Sequence, residues 1–454
     1  MKSFVKLGKH VEDPRGKGCL DRISSLPDEL LGHVLSFLPT RCAVRTSILS
    51  KSWRRIFTLT SCLSFNDFDG PTECFTEFVY NVLELHQISP IKKFSLVCQA
   101  TYDKSDLNTW FSKVVQKGVQ EIYYWVFDQE HVPDALVMCE TLVTLEIVNV
   151  ENFEIPLSAW LPNLKSLNLG CVQFVDYDSM QRLFSACKLL EELTLDNCVC
   201  SDLGYVIISA GSLKVLTIKK CTFEDGYFAI DAPNLSYFTY NCNIGMKIVH
   251  SWKQSYSLVK LELKFKHCRE VSNYPSIEFD REVFEAAAYR EVFKAAAYNT
   301  TELRLLSDTM KFLVMLADQE QMPDFRSLTR LHLGYIRYDS WKYVTDLLDK
   351  SPQLKMVTFE VGLHRCFRDH ASPPCEPLFP FSCHAQVIEV RRFCGHKGSL
   401  LHLGHLLKNA SLLKKLIIHT SHLNSWEDEL PTSKDDLLIL PRASRDCCIE
   451  LIDP

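Results

Sequence analysis

An apolar position, two free positions, a second apolar position, one free position and a third apolar position recur along most of this chain. The copies stand at Ile91/Phe94/Leu96, Val119/Ile122/Tyr124, Leu142/Leu145/Ile147, Leu164/Leu167/Leu169, Leu190/Leu193/Leu195, Leu213/Leu216/Ile218, Leu235/Phe238/Tyr240 and Leu258/Leu261/Leu263. Their starts lie 28, 23, 22, 26, 23, 22 and 23 residues apart. Within each copy the alternation predicts one short strand that turns its apolar side chains inward. Independent strands of an ordinary sheet have no reason to keep a ~23-residue period, whereas stacked equivalent units do. The register continues more loosely at Leu328/Leu331/Leu333, Leu354/Val357/Phe359, Ala385/Ile388/Val390 and Leu413/Leu416/Ile418. The predicted fold class is an α/β solenoid whose core grows along one axis.

Period and pattern together are the signature of leucine-rich repeats. Such repeats turn an Asn or Cys inward three residues past the third apolar position, which here gives Cys198, Cys221 and Asn243; Cys171 misses the position by one. Thiols there act as small apolar fillers, a structural role. Between the repeats starting at Leu258 and Leu328, Arg281 to Tyr289 is followed at once by a near copy, Arg290 to Tyr298, differing only at Glu285 and Lys294. The Ala-rich composition predicts a helix, and nine residues at about 100° each turn the second copy half a rotation from the first. A tandem duplication that lengthened an outer helix is the reading.

Ahead of the array the spacing becomes helical. Pro27 suits a first helical position, with Asp28 and Glu29 in the first turn, and Leu30, Leu31, Val34, Leu35 and Leu38 repeat at helical spacing until Pro39. Thr40 can cap a second helix carrying Val44, Ile48 and Leu49 on one side, and Ser50 a third holding Trp53, Ile56 and Phe57. About forty residues cannot bury so many apolar side chains alone, so part of the surface needs a partner or seals the end of the array.

Leu26-Pro27-Asp28-Glu29-Leu30-Leu31, Leu35-Ser36-Phe37-Leu38-Pro39-Thr40 and the run from Ala43 to Arg54 closely resemble the F-box of plant F-box proteins. The resemblance implies docking onto a Skp-type adaptor and through it a cullin scaffold, in an SCF-type ubiquitin ligase. By position, Leu26, Pro27, Leu30, Leu31, Val34, Leu35, Leu38, Leu49 and Trp53 would form or support the adaptor interface. Ser52 stands where the family more often has Arg or Lys, and Phe57 where Trp is frequent. Arg22 to Ser61 holds six Lys or Arg against Asp28 and Glu29, a balance that would speed association with an acidic adaptor.

Toward the C-terminus, Cys366, His370, Cys375, Cys383, His384, Cys394 and His396 raise the question of zinc, but their spacing is irregular and holds no Cys-x-x-Cys pair, so no metal is expected. Phe393-Cys-Gly-His-Lys-Gly, the run from Leu406 to Ile418, Pro441-Arg-Ala-Ser and Cys448-Ile-Glu-Leu resemble the FBD module of plant F-box/LRR proteins. The acidic stretch Glu427 to Asp436 reads as a solvated excursion. The expected division is a flexible arm at 1–19, an F-box at 20–62, leucine-rich repeats at 63–365, and an FBD-like segment at 366–454 that keeps the repeat register.

Composition narrows the picture further. A formal net charge of −6 over 454 residues leaves no chain-wide basic face for nucleic acid. The first 19 residues carry Lys2, Lys6, Lys9, Arg15 and Lys17 without the apolar core of a signal peptide, and no run suits a membrane span. An odd total of 19 cysteines, Cys447 and Cys448 adjacent, predicts reduced thiols in the cytoplasm or nucleus. Phosphate-loop, dinucleotide, zincin and nucleophile-elbow motifs are missing. The expected function is therefore a non-catalytic substrate-recognition subunit without cofactor, the helical module holding the adaptor and the repeats an unidentified target protein. The competing readings are a repeat-based binding module whose degenerate F-box acts outside a ligase, motivated by Ser52 and Phe57, and a small-molecule receptor, which would need basic residues converging within the array.

Overall fold

In the computed structural model the described residues are 23–69, 74–86, 89–129, 132–201, 204–223, 227–243, 247–250, 257–266, 293–294, 296–307, 309, 322–336, 340–363, 382–393, 397–420, 437 and 439–452. The predicted strands form where the apolar triplets stand. In chain order they begin with β1 (Cys62–Asn66), β2 (Lys93–Cys98), β3 (Glu121–Gln129), β4 (Thr144–Val150), β5 (Ser166–Gly170), β6 (Glu192–Asp196) and β7 (Val199–Cys200). Next come β8 (Tyr205–Ser209), β9 (Val215–Lys219), β10 (Thr222–Phe223), β11 (Tyr227–Asp231), β12 (Tyr237–Asn243), β13 (Lys247–His250) and β14 (Lys260–Lys266). The last six are β15 (Glu302–Ser307), β16 (Arg330–Leu333), β17 (Met356–Phe359), β18 (Val387–Phe393), β19 (Lys415–Thr420) and β20 (Cys448–Ile452).

Fifteen of these make one open parallel sheet in the order β1-β2-β3-β4-β5-β6-β9-β12-β14-β15-β16-β17-β18-β19-β20. A single register runs across it: Leu63, Phe94, Ile122, Leu145, Leu167, Leu193, Leu216, Phe238, Leu261, Leu303, Leu331, Val357, Ile388, Leu416 and Ile449 pair in succession. Each triplet residue is buried in one continuous core. The segment resembling an FBD module contributes β18, β19, β20 and the helix Lys397–Asn409, and so prolongs the same sheet.

Two strands escaped the sequence pattern for the same reason. β1 and β15 belong to triplets Thr60/Leu63/Phe65 and Thr300/Leu303/Leu305, where a buried threonine stands for the first leucine. Each hydroxyl is satisfied in place, donating to the carbonyl of Phe57 at 2.9 Å and of Leu258 at 3.1 Å. Of the duplicated nonapeptides, the first lies outside the described residues. In the second, residues 293, 294 and 296–298 are helical, with Phe293, Ala296 and Ala297 buried.

The strand ends explain the cysteines. Asn149, Cys171, Asn197 and Lys220, each two residues past a third apolar position, adopt left-handed φ of 64°, 52°, 56° and 51°. That turn throws the next residue inward, so Val150, Val172, Cys198 and Cys221 are buried in line. Cys198 Sγ donates to the Leu169 carbonyl at 3.3 Å and Cys221 Sγ to that of Leu195 at 3.5 Å. β12 lacks the left-handed turn at Cys242 and runs straight through, which buries Cys242; this thiol, one residue before the Asn243 that counting selects, sits next in the row. Cys171 is exposed and accepts from Asn197 Nδ2 at 3.3 Å.

Candidate functional site

The N-terminal module folds around its own small core. The helix Asp28–Leu35 begins behind Pro27, which stands just outside it with extended backbone, and carries Asp28 and Glu29 in its first turn as predicted. Leu31, Leu35, Ala43, Trp53, Ile56 and Phe57 are buried together, and Trp53 Nε1 donates to Ser24 Oγ at 2.8 Å. Gly32 permits the close contact at the centre of this core: a Cβ there would lie 2.8 Å from Leu59 Cβ.

Several details differ from the sequence expectation. The second helix is short, Thr40–Arg45, followed by a 3-10 turn at Thr46–Ile48, and the third element, Ser52–Leu59, is itself 3-10. Neither Thr40 nor Ser50 caps a helix. Thr40 is buried and its hydroxyl accepts from Ser64 N on β1 at 2.7 Å, tying the module to the first strand of the array. Arg41 lies 5.5 Å from the Phe78 ring centroid on the other side of the same junction. With the second helix so short, Ile48 and Leu49 face solvent instead of packing with Val44.

The nine residues named for the adaptor divide by position. Leu31, Leu35 and Trp53 are core and hold the scaffold; Leu26, Pro27, Leu30, Val34, Leu38 and Leu49 are exposed. Leu30 and Val34 fall four apart on one stripe of the first helix, and Leu26 stands exposed just ahead of it. Sequence reasoning did not assign to this surface Ile23, Phe37 and Ile48, which are 59%, 75% and 85% exposed. Their signal was available for Phe37, which follows Val34 by three, but not for Ile48, whose exposure depends on where the helix ends. Eight large apolar side chains thus crowd one small module while Arg45, Lys51, Arg54 and Arg55 stand exposed beside them. Surface apolar groups at this density mark a docking site.

The face of the sheet opposite the core has two characters. From β14 to β19 it carries a ladder of ion pairs: Lys260 to Glu302 at 2.9 Å, Arg304 to Glu262 at 3.4 Å and to Glu360 at 3.6 Å, Arg391 to Glu360 and to Glu389 at 2.9 Å, and His419 to Glu389 at 2.9 Å. Burial raises the Glu302 and Glu389 carboxyls, yet their cationic neighbours outweigh it and hold both below the usual range. From β3 to β6 the same face is polar and aromatic, with Tyr123, Trp125, Asn168 and Thr194 half-buried.

Among the described residues no group of His, Cys, Asp or Glu could hold a metal ion. Of the residues considered for zinc, Cys366, His370, Cys375, Cys394 and His396 lie outside the described ones, as does the acidic stretch 427–436. Cys383 is buried, and burial pushes its thiol up to about 11, away from the thiolate a metal would need. Among the described residues, no helix is long and apolar enough to cross a membrane.

Comparison with known proteins agrees with this architecture. The F-box domain family matches residues 23–64, and the leucine-rich-repeat family described from the FBD-associated F-box protein At5g56370 matches residues 107–254. The chain is 31% identical to the F-box protein At3g59000 of Arabidopsis thaliana, over 91% of this chain and 89% of that one. It is 30% identical to the putative F-box/LRR-repeat protein At3g58880 of the same plant, over 88% and 92%. The chain belongs to the F-box/LRR-repeat family. F-box domains in general bind Skp-type adaptors, and proteins of this class are typically non-catalytic.

Proposed function

We propose that this protein is the substrate-recognition subunit of an SCF-type ubiquitin ligase, in which the F-box holds a Skp-type adaptor, the adaptor a cullin scaffold, and the leucine-rich repeats a target protein. The observation that carries the reading is the split within the F-box: Leu31, Leu35 and Trp53 build a core, while Leu26, Leu30, Val34, Leu38 and Leu49 are left outside it, exposed among the described residues. The mechanism is proximity. Holding a target lysine near a conjugating enzyme raises its effective concentration, and the subunit contributes orientation without touching the bond that forms. Burying eight apolar side chains on the adaptor supplies the affinity, and the exposed bases steer the encounter.

The proposal predicts that Leu30→Asp and Leu38→Asp, both at exposed positions, abolish co-precipitation with a Skp-type adaptor and leave thermal unfolding unchanged. Leu31→Asp should lose both, since it places a carboxylate in the core. Adaptor capture indifferent to the Leu30 and Leu38 changes would refute the interface.

Two other readings stand behind this one. A binding module outside a ligase fits Ser52 and Phe57, yet Phe57 is buried in the F-box core and Ser52 is bonded to Ser50, so both departures sit away from the apolar stripe. A receptor for a polyanionic small molecule needs free convergent bases. Lys260, Arg304, Arg330 and Arg391 do converge on the sheet, but each is paired with a glutamate of a neighbouring strand.

A further inference from the structure

The two halves of the exposed sheet face differ in how their charge is balanced. On β14 to β19 each of the four glutamates of the ladder has a cation against it. On β3 to β6 the outward positions carry Glu121, Glu146, Glu192 and Asp196 and no Lys or Arg. Glu121 is bridged to Lys93 at 3.2 Å. Glu146, Glu192 and Asp196 have no ion pair among the described residues; Glu192 meets only Ser166, at 3.4 Å, and Lys219, in register with Asp196, makes no bridge to it.

An aromatic surface adjoins Glu146, the first of these carboxylates, with Glu192 and Asp196 two strands further on. Phe68, just past β1, reaches over β2 to Trp125 with ring centroids 6.0 Å apart. The β3 register slips against β4 between Trp125 and Gln129, where two residues of β4 face four of β3. Such irregularities re-aim side chains, and Phe127, within the slip, is 55% exposed, much like Phe68 at 54%. Glu146 pairs in register with Tyr123, two residues from Trp125, and burial together with that carboxylate raises the Tyr123 phenol. Aromatic faces with carboxylates beside them are complementary to one ligand chemistry, a cation on an aliphatic stem: the ring takes the charge over its face, the carboxylate closes the pair, and the stem covers apolar surface.

We infer that the β3–β6 stretch of the array binds a short extended segment of the target protein that carries lysine or arginine. The inference rests on reading the array as the target-binding part. Crossing four strands spans three spacings of about 4.8 Å, roughly 14 Å, or four to five extended residues at about 3.3 Å each. The paired C-terminal half presents no such excess and takes no part in selecting that charge.

The test uses the full chain, co-expressed with a Skp-type adaptor and purified by a tag on the chain itself, and measures fluorescence anisotropy with two labelled probes, a peptide alternating lysine and leucine and its counterpart alternating glutamate and leucine. At low salt the lysine peptide is expected to bind at least about tenfold more tightly, a preference that shrinks as salt rises. Trp125→Ala should weaken it about threefold, Phe127→Ser by a similar factor, and Glu146→Lys more than either. Arg330→Ala, on the ion-pair ladder, should leave it unchanged. Equal affinity for both peptides, or a lysine preference untouched by Trp125→Ala, Phe127→Ser and Glu146→Lys, would overturn the inference. Adaptor capture is scored on the same preparations: a charge preference that responds to these changes supports the inference whether or not adaptor is captured, and charge-blind binding defeats it even where capture is normal.

Discussion

His86 ends the helix Phe75–Leu85 with no exposure to solvent, and burial, helped by the charge of Lys117, lowers its imidazole to about 4. In the unfolded chain the ring titrates near 6.5. Above that pH both states are neutral and the residue does not couple folding to pH. Between about 6.5 and 4 the unfolded chain takes up a proton that the folded one refuses, so stability falls as pH falls, by about 1.4 kcal/mol per unit and about 3 kcal/mol across the window. Melting curves from pH 7 to 4.5 should therefore drop more steeply for the parent than for His86→Leu; parallel curves would contradict this account. None of it is visible in sequence, where His86 is one of 15 histidines. At the same scale the buried thiols, which composition left unexplained, acquire a place: a left-handed residue precedes Cys198 and Cys221, and burial raises the Cys221 thiol and removes it from redox chemistry.

The strands were readable because burial of three positions in six leaves little freedom in residue choice, and the helix Asp28–Leu35 because its punctuation by Pro27 and Pro39 is strong. β1 and β15 were missed where threonine satisfies its hydroxyl inside the core, and β8, β11 and β13 because nothing in a leucine pattern announces what lies behind the sheet. The ion-pair ladder joins residues from Lys260 to His419 mostly through side chains on adjacent strands that lie far apart in sequence, so its members are neighbours only after the register is fixed. The same holds for Phe68 and Trp125. Within the F-box, element contact rests on Gly32, and Gly32→Ala tests it. Alanine favours an exposed helix by up to about 1 kcal/mol, but here its methyl would meet Leu59 Cβ at 2.8 Å and the Leu59 carbonyl oxygen at 3.1 Å. The expected outcome is a loss of about 1–3 kcal/mol from the module, read as a lower melting transition together with weakened adaptor capture. A stabilised variant would show that helix and 3-10 segment are not in contact.

For the whole molecule, the F-box is also the lid of the solenoid. Repeat arrays need a polar terminal unit because each repeat buries its face on the next, and an open strand edge invites pairing with other chains. Thr40 and Arg41 place the F-box against β1 and Phe78. Removing residues 1–59 should leave an array that self-associates, seen as a shift to larger species in size-exclusion chromatography; a monodisperse product would show that β1 is protected in some other way. The outer layer carries a last consequence. Among the described residues it holds helices on several repeats, such as Lys104–Gln116 and Tyr177–Ala186, but behind β6 to β12 it becomes the parallel sheet β8-β11-β13. Packed helices sit about 8–10 Å apart and strands about 4.8 Å. Where helices back the sheet, the outer arc must be longer than the inner and the array bends; where strands back strands, both layers advance by the same step and curvature is lost. The array is therefore expected to bend least across β6 to β12, and a partner lying there would meet a flatter floor than on the helix-backed repeats.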